Sequence, residues 1–170
     1  MDNDKIKSIT ETALLLALTV VLQGLRLFLP LPAAVSLFLI GSLVNACLVV
    51  AVLRINAAAG YMTACITPVF AWVEGMLPFF PFIFPVACGN CAFVFAVALL
   101  KNSGLKILYV SAFIKMLVLC GAFFLLFSCV SFPETVRQAI FFAMSWPQLV
   151  TGIAGITLAW FLQRRTGCGC

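Results

Sequence analysis

The chain has 170 residues, of which 65% are hydrophobic and 9% are charged. Soluble domains usually carry about 25% charged residues, so this composition excludes an ordinary water-soluble globular domain. The net charge of +5 comes from basic residues between apolar segments, which indicates membrane topology and anionic lipid contact rather than nucleic-acid binding.

Six apolar segments are long enough to cross a bilayer, because a hydrocarbon core about 30 Å thick needs roughly 20 helical residues. They cover residues 10–29, 34–53, 57–77, 79–100, 105–130 and 136–162. Thr10 is the predicted N-cap of the first helix. The connections are short and no linker is visible. The sequence therefore predicts an all-α polytopic membrane protein, a single domain over residues 1–170 with six transmembrane helices and tails at 1–9 and 163–170.

Pro147 interrupts the last apolar segment and leaves two interpretations open. The part before it, which contains Arg137 and Gln138, could lie at the membrane interface before the chain enters the bilayer. Alternatively, the whole segment could be one long kinked helix.

The basic residues are unevenly divided between the two sides of the predicted bundle. Arg26 and Arg137 lie on one side. The other side has seven, which are Lys5, Lys7, Arg54, Lys101, Lys106, Arg164 and Arg165. Both termini are therefore predicted to be cytoplasmic.

Lys115 lies about ten residues into the fifth segment, roughly 15 Å deep at 1.5 Å per residue. Charged residues inside a membrane are costly and are therefore candidates for function. Lys115 could bind a ligand or an ion, or it could snorkel or form a structural pair.

Arg26 and Glu74 are predicted to share a depth near the outer ends of the first and third segments. They could form the polar rim of an outward-facing pocket, or a salt bridge that holds two helices together. Arg26 and Lys115 both suggest a carboxylate or phosphate on a bound solute.

Further polar and aromatic residues are distributed over several segments. Each buried polar group needs a partner in lipid, so these residues either hold helices together or face a cavity. We predict that they contribute to a solute pocket together with Arg26, Glu74 and Lys115. They are Gln23, Asn45, Trp72, Asn90, Trp146 and Gln148, with Thr67 as another buried polar residue.

No catalytic residues are predicted, since no nucleophile–base pair, phosphate loop or paired-carboxylate arrangement is apparent. An enzyme is therefore not expected. Cys88 and Cys91 form a C-x-x-C pattern, and Cys168 and Cys170 end the chain. These cysteines are interpreted as small hydrophobic residues rather than a redox or zinc site, because the sequence has no histidine and the first pair lies in an apolar segment. No metal or cofactor is predicted.

Small residues four positions apart mark helix faces that allow close approach. Ala13 and Ala17 form such a pair in the first segment. Similar pairs occur in the third and sixth segments, at Gly60 and Ala64 and at Gly155 and Ala159. Together they suggest a flat docking face toward the cytoplasmic half.

With six short-looped helices, both termini inside and an early Ala-x-x-x-Ala, the chain resembles the S components of energy-coupling factor (ECF) transporters. The segments ITETALLLALTVVLQ, GSLVN, PFIFPVACGN and SWPQLVTG contribute to this resemblance. The resemblance implies a multi-pass subunit of the bacterial cytoplasmic membrane that captures a vitamin-like solute at an outward-facing pocket. It also implies partners, namely a transmembrane coupling subunit and two ABC-type ATPases, with Ala13 and Ala17 contacting the coupling subunit. Metal-specific relatives use an N-terminal histidine, which this chain lacks.

A second class of function fits the same size and topology. The chain could be a scaffold protein of a cell-envelope complex, similar to the six-helix rod-shape subunit of the elongation machinery. Polar residues that converge on one outer cavity would favour the transport subunit, whereas a dry bundle with a partner-binding groove would favour the scaffold.

Overall fold

A computed structural model of the protein describes residues 3–29 and 32–165. Within these ranges the regular structure is helical. The helices are α1 (Asn3–Phe28), α2 (Ala33–Val50), α3 (Ala57–Val73), α4 (Ile83–Leu100), α5 (Leu105–Cys129), α6 (Glu134–Met144) and α7 (Trp146–Arg165). A π-helical segment, Ala51–Ile55, extends α2, and a 3₁₀ turn, Phe80–Phe82, precedes α4. Helices satisfy their own backbone hydrogen bonds, which a lipid environment requires.

Five of the helical segments are long and apolar enough to cross a membrane, and α3 is a shorter apolar helix of 17 residues. Seventeen residues lie at the lower end of the range for a transmembrane helix. The chain is therefore an all-α polytopic bundle, as its composition predicts.

Side-chain hydrogen bonds identify which helix ends lie together. Asn56 caps α3 by accepting from the Ala59 N–H at 2.8 Å, and its amide donates to Ser8 Oγ at 2.9 Å. The Tyr109 and Thr157 hydroxyls are 3.0 Å apart and join the start of α5 to the last half of α7. The start of α1 and the end of α7 thus lie at the same end of the bundle. We call it the basic end, since the seven predicted cytoplasmic cations lie there, and the other the distal end.

The predicted start of the first segment and the predicted end of the third segment were wrong. Thr10 is not an N-cap, because α1 already begins at Asn3 and the Thr10 hydroxyl donates to the Ile6 carbonyl one turn earlier, at 3.0 Å. Residues 3–9, predicted as a tail, are therefore helical. The third segment ends at Val73 rather than at residue 77, and Gly75 then reverses the chain with φ of +73°. Glycine accepts this left-handed conformation without steric cost.

The last apolar segment is divided at one residue into two helices, α6 and α7. The chain breaks at Ser145, whose φ and ψ are −97° and −117°. Pro147 is the second residue of α7. Backbone N–H groups in the first turn of a helix have no hydrogen-bond partner within it, so a proline at this position removes no hydrogen bond. The short helix α6 packs against α5 and α7 at the distal end.

Two apolar clusters fill the bundle. The cluster nearer the basic end is built around Leu48, Phe93, Leu108 and Ile156. The cluster nearer the distal end is aromatic, and its Phe82 ring packs edge-to-face on Phe123 at a centroid distance of 5.4 Å. Polar side chains occupy the level between these clusters.

Helices α2 and α7 approach closely at Gly155. A Cβ atom at this position would lie 2.6 Å from Asn45 Cβ and 2.8 Å from the Ala46 backbone nitrogen. Gly155 and Ala159 are both buried, so this small-residue pair serves packing inside the bundle. The pair in α3, Gly60 and Ala64, is buried as well. The suggestion that all three pairs form an external docking face was therefore wrong for α3 and α7.

Candidate solute-binding cavity

A cavity of about 130 Å³ lies inside the distal half of the bundle. Residues of all seven helices and of the connection between α3 and α4 line it, and most of them are apolar. The polar side chains in the lining come from five helices and are Gln23, Asn45, Asn90, Lys115 and Gln148, with Thr67 from a sixth. Five of the nine residues predicted for a solute pocket thus meet in one cavity.

Lys115 is buried, with 4% of its surface exposed, although it carries an ammonium group. Its Nζ donates to Asn45 Oδ1 at 2.6 Å and lies 5.3 Å from the centroid of the Phe93 ring. The Asn45 amide in turn donates to Thr151 Oγ1 at 3.2 Å. This chain of hydrogen bonds joins α5, α2 and α7 and holds the ammonium beside the cavity. Lys115 therefore does not snorkel toward the basic end.

Gln23 is 3% exposed and connects α1 to α3 at the cavity wall. Its Nε2 donates to the Thr67 carbonyl at 3.1 Å. Its Oε1 is buried and has no hydrogen-bond partner. A buried acceptor without a partner is unfavourable, so a donor arriving in the cavity would stabilise it.

Asn90 and Gln148 face the same cavity from α4 and α7. Asn90 lies one turn before Phe93, so α4 presents an amide and the ring that faces Lys115 on the same side. The Gln148 amide lies 3.7 Å from Met144 Sδ, which is a weak acceptor. Both amides can therefore form stronger hydrogen bonds with a polar solute.

The other four predicted pocket residues do not line the cavity. Trp72 and Trp146 are exposed and pack edge-to-face against Phe80 and Phe142, respectively. Arg26 is also exposed. These residues lie at the distal surface of the bundle rather than in its interior.

Arg26 and Glu74 do not form the ion pair that their shared depth suggested. The Glu74 carboxylate lies against α1 instead, where Oε1 would be 3.5 Å from a Cβ placed on Gly24. Its Oε2 is buried without a hydrogen-bond partner. Partial burial beyond the end of α3 raises the pKa of the Glu74 carboxyl.

Some residues of the site were not predicted from the sequence. Thr151 completes the hydrogen-bonded chain from Lys115. Its position could have been predicted from the sequence, because residues three apart share a helix face and Thr151 follows Gln148 by three. The apolar lining had no distinguishing pattern in the sequence. It includes Leu37, Ile40, Val44, Pro68 and Leu119.

Helix α1 has the least buried surface of the five long apolar segments. Ala13 and Ala17 are both exposed on it, next to the exposed Leu14 and Leu18. This face is free of intramolecular packing and is flat, because alanine side chains do not extend far from the helix.

Metal coordination finds no support in the described residues, which contain no group of three or more Cys, Asp or Glu side chains suited to an ion. Cys91 pairs across the helices with Cys65, at 3.7 Å between sulfur atoms, rather than with Cys88 of its own motif. Cys168 and Cys170 lie outside the described residues.

No family model, curated protein or solved structure matches this chain. The cavity and the exposed face of α1 are therefore the features of the chain itself that indicate its function.

Proposed function

We propose that this chain is the substrate-capture subunit of an ECF-type ABC importer in the bacterial cytoplasmic membrane. In this role it binds a vitamin or a related small water-soluble micronutrient at an outward-facing pocket. A transmembrane coupling subunit and two ABC-type ATPases then drive delivery into the cell. The chain itself performs no chemistry on the solute.

One observation carries the proposal, namely the convergence of polar side chains from five helices on a single cavity. Buried polar groups in a membrane protein are unfavourable unless they have partners, and those that face a cavity mark substrate sites. Lys115, Gln23 and Asn90 would each gain hydrogen bonds from a solute. A protein that served only as a scaffold would have no use for this arrangement.

The position of the cavity supports capture from outside. It lies in the distal half of the bundle, away from the seven cations at the basic end. The excess of Lys and Arg predicts that the basic end faces the cytoplasm. On this orientation the cavity belongs to the outer half of the membrane.

The exposed face of α1 supports docking to a coupling subunit. Without hydrophobic attraction between helices in lipid, close packing of small residues is a main source of association. Ala13 and Ala17 offer such a surface, and no other part of the described chain covers it.

Solute capture can be tested with protein purified from its own host and placed in nanodiscs. We expect native mass spectrometry to show a retained small molecule, and a panel of water-soluble vitamins and host-extract fractions to yield a binder. If neither a retained molecule nor a binder is found, the transport proposal fails and the scaffold becomes the better explanation.

Docking can be tested separately by co-purification with coupling modules of the host. Ala13→Trp and Ala17→Trp should abolish assembly and leave solute binding intact, because a large ring prevents close helix approach. Ala154→Trp is the matched control, since Ala154 is exposed on α7. Equal assembly of all three variants would show that α1 is not the docking face.

A further inference from the structure

The charges around the cavity define the kind of solute that would fit it, if the proposed function is correct. Of the described residues that line the cavity, only Lys115 is charged. Of the four described carboxylates, Asp4 is exposed in the first turn of α1 at the basic end. Those of Glu11 and Glu134 form ion pairs with Lys7 and Arg137 at the two ends of the bundle. The fourth, Glu74, lies against Gly24 and outside the cavity lining.

The ammonium group of Lys115 thus has a neutral amide and an aromatic ring as its partners. An ammonium group has three N–H donors, and the hydrogen bond to Asn45 uses one of them. Burial disfavours the charged form of a lysine, whereas an opposite charge close to it favours that form. The cavity supplies no such charge, so an anionic group on the solute can provide it.

The other polar groups of the cavity indicate which hydrogen-bonding groups the solute carries. Gln23 Oε1 is buried in the cavity wall without a donor, so the solute should carry an N–H or O–H group. Asn90 and Gln148 add amides that can donate or accept. The apolar side chains of α2, α3 and α5 would contact an apolar body between these polar groups.

The volume of the cavity limits the solute to a small molecule. A closed cavity of about 150 Å³ holds one benzene molecule. This cavity measures about 130 Å³ and is partly open, so the substituents of a single ring can extend beyond it. Pockets for drug-sized ligands begin at about 300 Å³. Multi-ring solutes and nucleotides therefore exceed the available space.

From these observations we infer that the cavity binds a small monocarboxylic acid of single-ring size that carries a hydrogen-bond donor, with its carboxylate paired to Lys115. A monoanion matches the single cation of the site. A phosphate ester would leave excess negative charge in an apolar cavity, and a neutral amide would form no ion pair with Lys115.

The inference can be tested with matched acids and amides as probes. Binding of 4-aminobenzoate, nicotinate and benzoate to the protein in nanodiscs would be measured by isothermal calorimetry, beside 4-aminobenzamide, nicotinamide and benzamide. We expect 4-aminobenzoate, which carries an N–H donor, to bind more tightly than benzoate and nicotinate, which lack one. Its amide should bind more than about tenfold more weakly. Phenyl phosphate should also bind more weakly than the acid.

Two variants test the role of Lys115 directly. Lys115→Met should lower acid affinity more than about tenfold, whereas Lys106→Met, on the same helix but at the basic end, should leave it unchanged. Asn45→Asp should also lower acid affinity, because the new carboxylate would pair with Lys115 in place of the carboxylate of the solute. Circular dichroism and thermal unfolding would show that both variants fold.

The outcomes separate this inference from the proposed function. If amides or other neutral solutes bind as tightly as acids, or if Lys115→Met retains acid affinity, the acid assignment is overturned while solute capture stands. If no acid, amide or molecule from a host extract binds at all, both proposals are overturned.

Discussion

The Nζ atom of Lys115 lies 2.6 Å from Oδ1 of Asn45, although the two residues are 70 positions apart in the chain. This contact joins α5 to α2 at the level between the two apolar clusters. Because Asn45 is neutral, it stabilises the ammonium without cancelling its charge. The site thus has a positioned cation with a charge still available to a solute.

Removing Asn45 should destabilise the protein. In Asn45→Leu the ammonium keeps only the Phe93 ring, so we expect the free energy of unfolding to fall by about 2 to 3 kcal/mol, as for hydrogen bonds to charged groups. Reversible unfolding in mild detergent, followed by tryptophan fluorescence, would measure this change.

The double variant Asn45→Leu/Lys115→Met provides the control for that effect. A methionine in place of the lysine removes the buried charge, so the double variant should be more stable than Asn45→Leu alone. Simple addition of the two single effects would show that the residues are not coupled.

Gln23 should contribute more to solute binding than to stability. Gln23→Leu removes the hydrogen bond to the Thr67 carbonyl, but it also removes the buried Oε1 that has no partner. We expect the unfolding free energy to change by less than about 1 kcal/mol, while solute affinity falls severalfold. Gln138→Leu, on the exposed part of α6, should change neither quantity. A large loss of stability with unchanged affinity would assign Gln23 to helix packing alone.

Gly155 should be sensitive to a single added methyl group. In Gly155→Ala the new Cβ would meet Asn45 and the backbone of α2 at less than 3.0 Å, so α2 and α7 must separate. Overpacking of this kind typically costs about 1 to 3 kcal/mol, and displacement of Asn45 should also weaken solute binding.

Gly121 offers a matched control in α5, because nothing lies within 4 Å of a Cβ placed there. We expect Gly121→Ala to leave the unfolding temperature unchanged or slightly higher, since alanine favours helix more than glycine. Equal effects at Gly155 and Gly121 would contradict the close contact between α2 and α7.

The orientation in the membrane can be measured with a thiol reagent that does not cross bilayers. In a variant without native cysteines, Ser131→Cys lies between α5 and α6 at the distal end and should react in intact cells. Asn102→Cys lies between α4 and α5 at the basic end and should react only after the membrane is opened. The reverse pattern would show that the basic end faces outward and would place the cavity on the cytoplasmic side.

The sequence by itself determined the helical membrane fold and where most helices begin and end. A bilayer requires about 20 apolar residues for each crossing and excludes open backbone hydrogen-bonding groups, so composition and segment length suffice. The predicted helix ends differ from the structure where the backbone conformation ends a helix within an apolar segment, as near Gly75 and at Ser145. The division of basic residues between the two ends was also readable directly from the chain.

Only the tertiary structure decided which polar side chains meet. Position along a helix gives the depth of a residue, but it does not give the direction of its side chain around the helix axis. Arg26 and Glu74 were matched by depth alone and do not pair, whereas Lys115 and Asn45 meet because α5 and α2 turn these faces toward each other. Helices α4 and α5 are apolar nearly all round, so no periodic pattern identified their inward faces. Packing between helices fixed those rotations and thereby assembled the cavity.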